Sequence, residues 1–258
     1  APPLVREACA LARPNETLGP LRWLGWSCVP ECRYQCIQAN ALSRREEGLR
    51  TVKYFGKWAF VRVAGCTEFA SLVASLLNGV PALAYLWWSR RRRRWWYRLV
   101  WRLCACQWVV TWLASMAFHA RETKTTEAVD YVMAMAGTVS SVVTGVIYSF
   151  MPRARGLALV WPHVIAWLFV AFHAHSMLWI QFDYAYHMLV ATLAVVLGAG
   201  LWITWAWRYR AQRPHAWRVA FFNLALLPCF LIERLDFPPL WGVLDGHAVW
   251  HFATAPLF

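Results

Sequence analysis

Residues 66–94 read CTEFASLVASLLNGVPALAYLWWSRRRRR, an apolar stretch closed by five successive arginines, Arg90 to Arg94. From about Cys66 to Trp88 this stretch is long enough, at about 1.5 Å per helical residue, to cross a hydrocarbon core of about 30 Å. The arginines, with Arg98 beyond them, stay on the cytoplasmic side of such a span. The polar segment that precedes it is therefore expected on the luminal or extracellular side.

Alternating outward from this span predicts six more. They run from about Trp95 or Leu99 to His119, Ala128 to Phe150, Leu157 to Leu178, Ala185 to Trp207, Trp217 to Leu235, and from Val243 onward. Arg153 and Arg155 fall in one predicted cytoplasmic loop, and Arg208, Arg210, Arg213 and Arg218 in or beside the next, so the charge asymmetry follows the alternation. The fold class expected is an all-α membrane protein, a seven-helix bundle over residues 66–258 preceded by a luminal segment over residues 1–65. The last span has only about 16 residues before Phe258, so either the chain continues or that helix is too short to cross unaided. Ala1 is not preceded by a methionine or a charged leader, the mark of a processed or partial sequence.

Composition agrees with a membrane protein. Of 258 residues, 60% are hydrophobic, 19 are tryptophan and only 15% are charged, where a soluble domain carries about a quarter. The net charge of +13 invites a nucleic-acid reading, but the arginines sit in short clusters between apolar runs and form no basic face with interleaved aromatics. Nucleic acid is excluded as a partner. The lipid bilayer is the partner this composition fits.

The luminal segment holds Cys9, Cys28, Cys32 and Cys36, and the glycosylation sequon Asn15-Glu16-Thr17. A thiolate metal site would require a reducing compartment. On the oxidising side the four cysteines are expected to form two disulfides, with the pairing open.

Chemistry concentrates near the end of the chain, in Asp245-Gly246-His247-Ala248-Val249-Trp250-His251. Histidines four apart share one face of a helix, one turn apart, as a metal ion requires. Such a pair also arises by chance, so its weight depends on further ligands. Ser115-Met116-Ala117-Phe118-His119 repeats the four-residue step upstream, and Asp130 follows. The predicted topology brings His119, Asp130, His247 and His251 to one membrane level, and ionisable groups there are costly unless they serve a site or a pair. The set expected is Zn2+ on His119, His247 and His251, with Asp130 and Ser115 as catalytic helpers beside a zinc-bound water. No GxSxG elbow surrounds Ser115, which argues against a serine hydrolase.

Other residues carry less. His173 and His175 alternate on one helix and face different directions, which weakens them as supporting groups. Glu68 is a site candidate as an intramembrane carboxylate, equally open to a structural pairing. Cys104, Cys106 and Cys229 read as small buried apolar residues. Asp183, in Gln181-Phe182-Asp183-Tyr184, reads as a cap or loop residue, and Pro238-Pro239 as a stop that sets where the last helix begins.

Residues Trp26 to Cys36 (WSCVPECRYQC), Gly56 to Arg62 (GKWAFVR), Glu68-Phe69-Ala70-Ser71, Phe182-Asp183-Tyr184 and the closing LDFPPLWGVLDGHAVWH resemble the post-GPI attachment to proteins factor 3 family, in that family's order. Ala59 and Phe69 stand where the resemblance leads one to expect prolines, and the family's C-terminal tail is missing. The resemblance implies a superfamily shared with the alkaline ceramidases and progestin/adipoQ receptors. It also implies the motif Ser115, His119, Asp130, His247 and His251, the five residues reached from spacing. The implied substrates are glycosylphosphatidylinositol (GPI)-anchored proteins, whose lipid loses its sn-2 acyl chain in the Golgi or endoplasmic reticulum membrane. The alternatives are a ceramidase-like lipid amidase and a non-catalytic seven-helix receptor with structural zinc.

Overall fold

The computed structural model describes residues 18–89 and 95–257. Cys9, the sequon at Asn15 and the arginine run Arg90 to Arg94 lie outside the described residues. A short 3-10 helix, Gly19–Leu24, leads into helix α1, Cys28–Glu46. The bundle helices follow: α2 Phe69–Trp88, α3 Trp95–Ala120, α4 Lys124–Phe150, α5 Leu157–His175, α6 Tyr184–Tyr209, α7 Ala216–Glu233 and α8 Gly246–Thr254.

Among the described residues six helices, α2 to α7, are long and apolar enough to cross a membrane, α5 when joined to the π-helical turn Ser176–Ile180 that extends it. The chain is a multi-pass membrane protein. The seventh expected span is not among these six. Residues 234–245 are spent on a turn, and the nine residues of α8, followed by the 3-10 turn Ala255–Leu257, cover only about 13 Å of helix.

Local chemistry explains the boundaries. Helix α4 starts four residues before the expected Ala128 because Thr123 and Thr126 form a reciprocal capping box, each backbone N–H donating to the other's hydroxyl at 3.1 and 2.9 Å. Asp183 caps α6, accepting from the Tyr186 N–H at 3.0 Å, as its position predicted.

The helices form a ring in which α2 packs on α3, α3 on α4, α4 on α6, α6 on α7, α7 on α8 and α8 back on α2, with α5 outside against α4. The burial pattern suits lipid. Helix α2 buries Ser71, Ala74, Ser75, Asn78 and Gly79 and exposes Leu76, Leu77, Val80 and Leu83. Small and polar residues let backbones approach and hydrogen-bond across helices where no hydrophobic drive exists between them.

The N-terminal segment is bound to one end of this ring. Three tight turns, Phe55-Gly56, Ala64-Gly65 and Trp241-Gly242, each place two successive residues at positive φ inside an isolated antiparallel bridge. That is the type I′ pattern, and glycine in second place accepts it without strain. The turns set up backbone bonds from Val61 N–H to the Gly242 carbonyl (2.8 Å), from Thr67 to Ala120 (3.1 Å) and from Glu68 to His119 (3.0 Å). The Trp26 ring lies between the guanidiniums of Arg62 and Arg121, at 4.3 and 4.1 Å. Lys57 bridges Glu122 and Glu127 at 2.8 and 3.3 Å; burial pulls its ammonium down, but the two carboxylates outweigh that and hold it above the usual lysine range.

The expectation of two disulfides does not hold. Cys32 is disulfide-bonded, but Cys36 is an exposed free thiol whose Sγ lies 3.6 Å from the Asn40 amide of its own helix.

Candidate metal centre

Two helix ends build the site. Helix α3 ends at Ala120, so Ser115 and His119 occupy its last turns and share a face. Helix α8 begins where Asp245 caps it, accepting from the Ala248 N–H at 2.9 Å, which sets His247 in the first turn and His251 one turn on. The start of α8 lies close to the end of α7. A Cβ on Gly246 would stand 3.1 Å from the Ile232 carbonyl oxygen, so glycine is what allows the two ends to meet.

The three histidines converge. Ring centroids are 5.2 Å apart for His119 and His247, 5.3 Å for His119 and His251, and 4.5 Å for His247 and His251. One nitrogen from each lies within 4.8 Å of the others. His251 Nε2 faces His247 Nε2 at 2.9 Å. His119 Nε2 and His251 Nδ1 are buried with no hydrogen-bond partner among the described residues. Buried polar nitrogens are rarely left so, and three imidazoles that bring one nitrogen each this close together fit a divalent metal such as zinc.

Around the histidines stands a set of acceptors. The Glu68 carboxylate is 2.7 Å from His119 Nδ1, and the Glu233 carboxylate is 3.4 Å from His247 Nδ1. An acceptor on the outer nitrogen fixes which ring nitrogen is left for a metal. Asn78 donates to the His251 carbonyl at 2.7 Å, and Thr254 donates to Asn78 Oδ1 at 3.2 Å. The Trp112 ring meets His251 edge-on, with centroids 5.6 Å apart.

Asp130 is buried near the start of α4, within electrostatic reach of His119, His247, Glu68 and Lys57. Ser115 is buried one turn before His119, with its Oγ 3.0 Å from Ser75 Oγ. Ser75 also donates to the Ser71 carbonyl at 2.8 Å. The five expected residues thus lie at one end of the bundle, three of them in direct mutual contact.

His173 and His175 fall outside the group. His173 is fully buried against His187, Nε2 to Nδ1 3.1 Å, in a second cluster where the Tyr131 ring lies tilted against His187 with centroids 4.9 Å apart. His175 turns away and stacks on Trp179. Cys104 is buried as expected, whereas Cys106 is exposed.

Sequence reasoning missed Ser75, Asn78 and Glu233, and left Glu68 without a partner. For three of these a signal existed. Glu68, Ser71, Ser75 and Asn78 are the polar residues of an otherwise apolar run, spaced to share one helical face. Nothing local marks Glu233.

The Per1-like family model matches residues 20–258. The Xenopus tropicalis protein named GPI-specific phospholipase A2-like PGAP3 is 36% identical over 246 residues, covering 92% of this chain and 75% of the relative. The Homo sapiens protein of the same name is 34% identical, covering 90% and 73%. The Drosophila melanogaster protein named post-GPI attachment to proteins factor 3 is 32% identical, covering 92% and 73%.

Proposed function

The chain belongs to the Per1-like family, and from that premise and the histidine geometry we propose that it is a zinc-dependent membrane hydrolase acting on GPI-anchored proteins. It removes the sn-2 acyl chain from their lipid. The observation that carries the reading is the meeting of three imidazoles, His119 and His251 buried and His247 partly exposed, with Asp130 and Ser115 at the same end of a lipid-facing bundle.

In this reading His119, His247 and His251 hold the ion. When bound there, zinc supplies Lewis acidity toward the ester carbonyl and toward water. Asp130 accepts the proton of the attacking water as that oxygen bonds to the carbonyl carbon, then passes it to the lyso-lipid alkoxide as the acyl C–O bond breaks. Ser115 donates to the carbonyl oxygen while negative charge builds on it. The products are a free fatty acid and a lyso-lipid anchor.

The depth of the site fits the substrate. An ester near the headgroups reaches the histidine end from within the leaflet while its acyl chain stays among apolar side chains. The reading places that end and the N-terminal segment in the lumen, in the Golgi membrane or that of the endoplasmic reticulum.

The test compares purified wild type with His251→Ala for bound metal and for fatty acid released from a GPI diacyl lipid and from ceramide. Wild type is expected to hold zinc and release fatty acid from the GPI lipid, and the variant to do neither. Hydrolysis retained without metal refutes the mechanism. Release from ceramide alone makes the protein an amidase instead.

A further inference from the structure

We propose that Glu68 is the positioning residue for His119, and that the buried polar face of α2 is the frame that holds the metal-binding geometry. The proposal rests on the metal-dependent reading above. Helix α2 and its cap supply none of the five motif residues, yet each end of this face touches one of them. Glu68, Ser71, Ser75 and Asn78, at 8, 1, 0 and 1% exposure, run down one face of the helix. Glu68 meets the His119 ring, Ser75 meets the Ser115 hydroxyl and Asn78 meets the His251 carbonyl.

The Glu68 contact is doubled. Its carboxylate lies 2.7 Å from His119 Nδ1, and its own backbone N–H donates to the His119 carbonyl at 3.0 Å. One residue therefore fixes both the backbone and the ring of the ligand. A carboxylate can only accept, so it selects the tautomer with the proton on Nδ1 and leaves the Nε2 lone pair free. Nε2 is the buried atom of His119 with no partner among the described residues. A charged acceptor also makes the ring a stronger donor to a cation, as carboxylate–histidine pairs do at metal sites. Glu233 stands in the same relation to His247 but at 3.4 Å, a looser contact with less hold on its ring.

The test uses the full chain in detergent micelles with zinc as the probe. Zinc per chain is read by elemental mass spectrometry and the dissociation constant by competition with a chelator. Glu68→Gln keeps the shape and an acceptor oxygen but removes the charge. It is expected to bind zinc roughly 10- to 100-fold more weakly while the metal-free protein melts close to wild type. Glu68→Asp, which restores the charge, is expected to recover part of the loss. A purely structural role would leave the Gln variant's zinc affinity at the wild-type value, and that result overturns the proposal.

A second measurement needs no variant at residue 68. In wild type labelled with ring-15N histidine, the signal assigned to His119 is expected to carry its proton on Nδ1. A proton on Nε2 overturns the proposal even if Glu68→Gln does not fold. Wild type that holds no zinc refutes the hydrolase reading as well. Wild type that holds zinc beside an unchanged Glu68→Gln refutes only the role of Glu68.

Discussion

Asn78 and His251 are joined by a buried hydrogen bond of 2.7 Å from the Asn78 amide to the His251 carbonyl, which ties the middle of α2 to the histidine turn of α8. The Asn78 side chain is fully used, since it also donates to the Ala74 carbonyl at 2.9 Å and accepts from Thr254 at 3.2 Å. Asn78→Ala is expected to destabilise the protein by roughly 1–3 kcal/mol, because buried partners are left unsatisfied. Asn78→Asp should cost more, since it sets a carboxylate against a carbonyl oxygen. Melting of the purified variants checks the order wild type, Ala, Asp.

Each histidine of the centre is expected to be needed for metal binding, whereas His173, as buried as His119 and His251, is not. His119→Ala, His247→Ala and His251→Ala should reduce bound zinc to near zero, because two imidazoles and water make a much weaker site than three. His173→Ala leaves the group intact and should retain wild-type metal content. Elemental analysis of the four variants decides it.

Gly242 joins the N-terminal segment to the turn before α8. Its φ is +75°, and an added Cβ would stand 2.5 Å from Val61 Cγ2. Gly242→Ala therefore combines a left-handed backbone with a clash, at an expected cost of roughly 1–3 kcal/mol for the backbone alone. The double variant Val61→Ala/Gly242→Ala removes the 2.5 Å contact but keeps the 3.2 Å approach to the residue 61 Cβ and the backbone strain. Its melting temperature should fall between those of the single Gly242 variant and wild type.

The spans were legible because apolar runs and arginine clusters speak about single segments, and a helix in lipid satisfies its own backbone. The clustering of the histidines was open to reading for the same reason: His247 and His251 are one turn apart, and so are Ser115 and His119. What the sequence did not disclose was pairing across elements. The bond from Val61 to Gly242 and the contact from Glu233 to His247 each depend on where two distant chain segments come to rest. The last helix begins at Gly246 rather than at Val243, where its apolar run starts, because Asp245 takes the capping position and defers the first turn.

Glu31 and Arg62 give the N-terminal segment a pH-dependent anchor. The Arg62 guanidinium donates two hydrogen bonds to the Glu31 carboxylate, at 2.6 and 3.0 Å, and against the opposing effect of burial holds its carboxyl below the ordinary value of 4.5. A carboxyl depressed in the folded state stabilises it fully above the unfolded value and loses that contribution as pH falls through the folded value. Wild type should therefore melt above Glu31→Gln at pH 7. The gap should close as pH drops below about 4, and a gap that stays constant to lower pH contradicts the ion pair.

Asp130 and Ser115 separate metal binding from turnover. Neither is among the three histidines, so Asp130→Asn and Ser115→Ala should keep zinc at the wild-type level. As the base that takes the water proton, Asp130 is expected to be worth roughly 10²–10⁴ in turnover. Ser115, as a single donor to the developing oxyanion, is expected to be worth roughly 10²–10³. The neighbouring hydroxyl sharpens the second case. Ser75 has one proton, and while it goes to the Ser71 carbonyl, Ser115 must donate to Ser75 Oγ across their 3.0 Å contact. Ser115 can serve the oxyanion only when Ser75 turns its proton toward Ser115 instead. Ser75→Ala should then lower turnover by less than Ser115→Ala, with zinc content unchanged in both. Fatty acid release from a GPI lipid, measured beside metal content, checks all three variants. Full turnover in Asp130→Asn with zinc in place removes Asp130 from the chemistry.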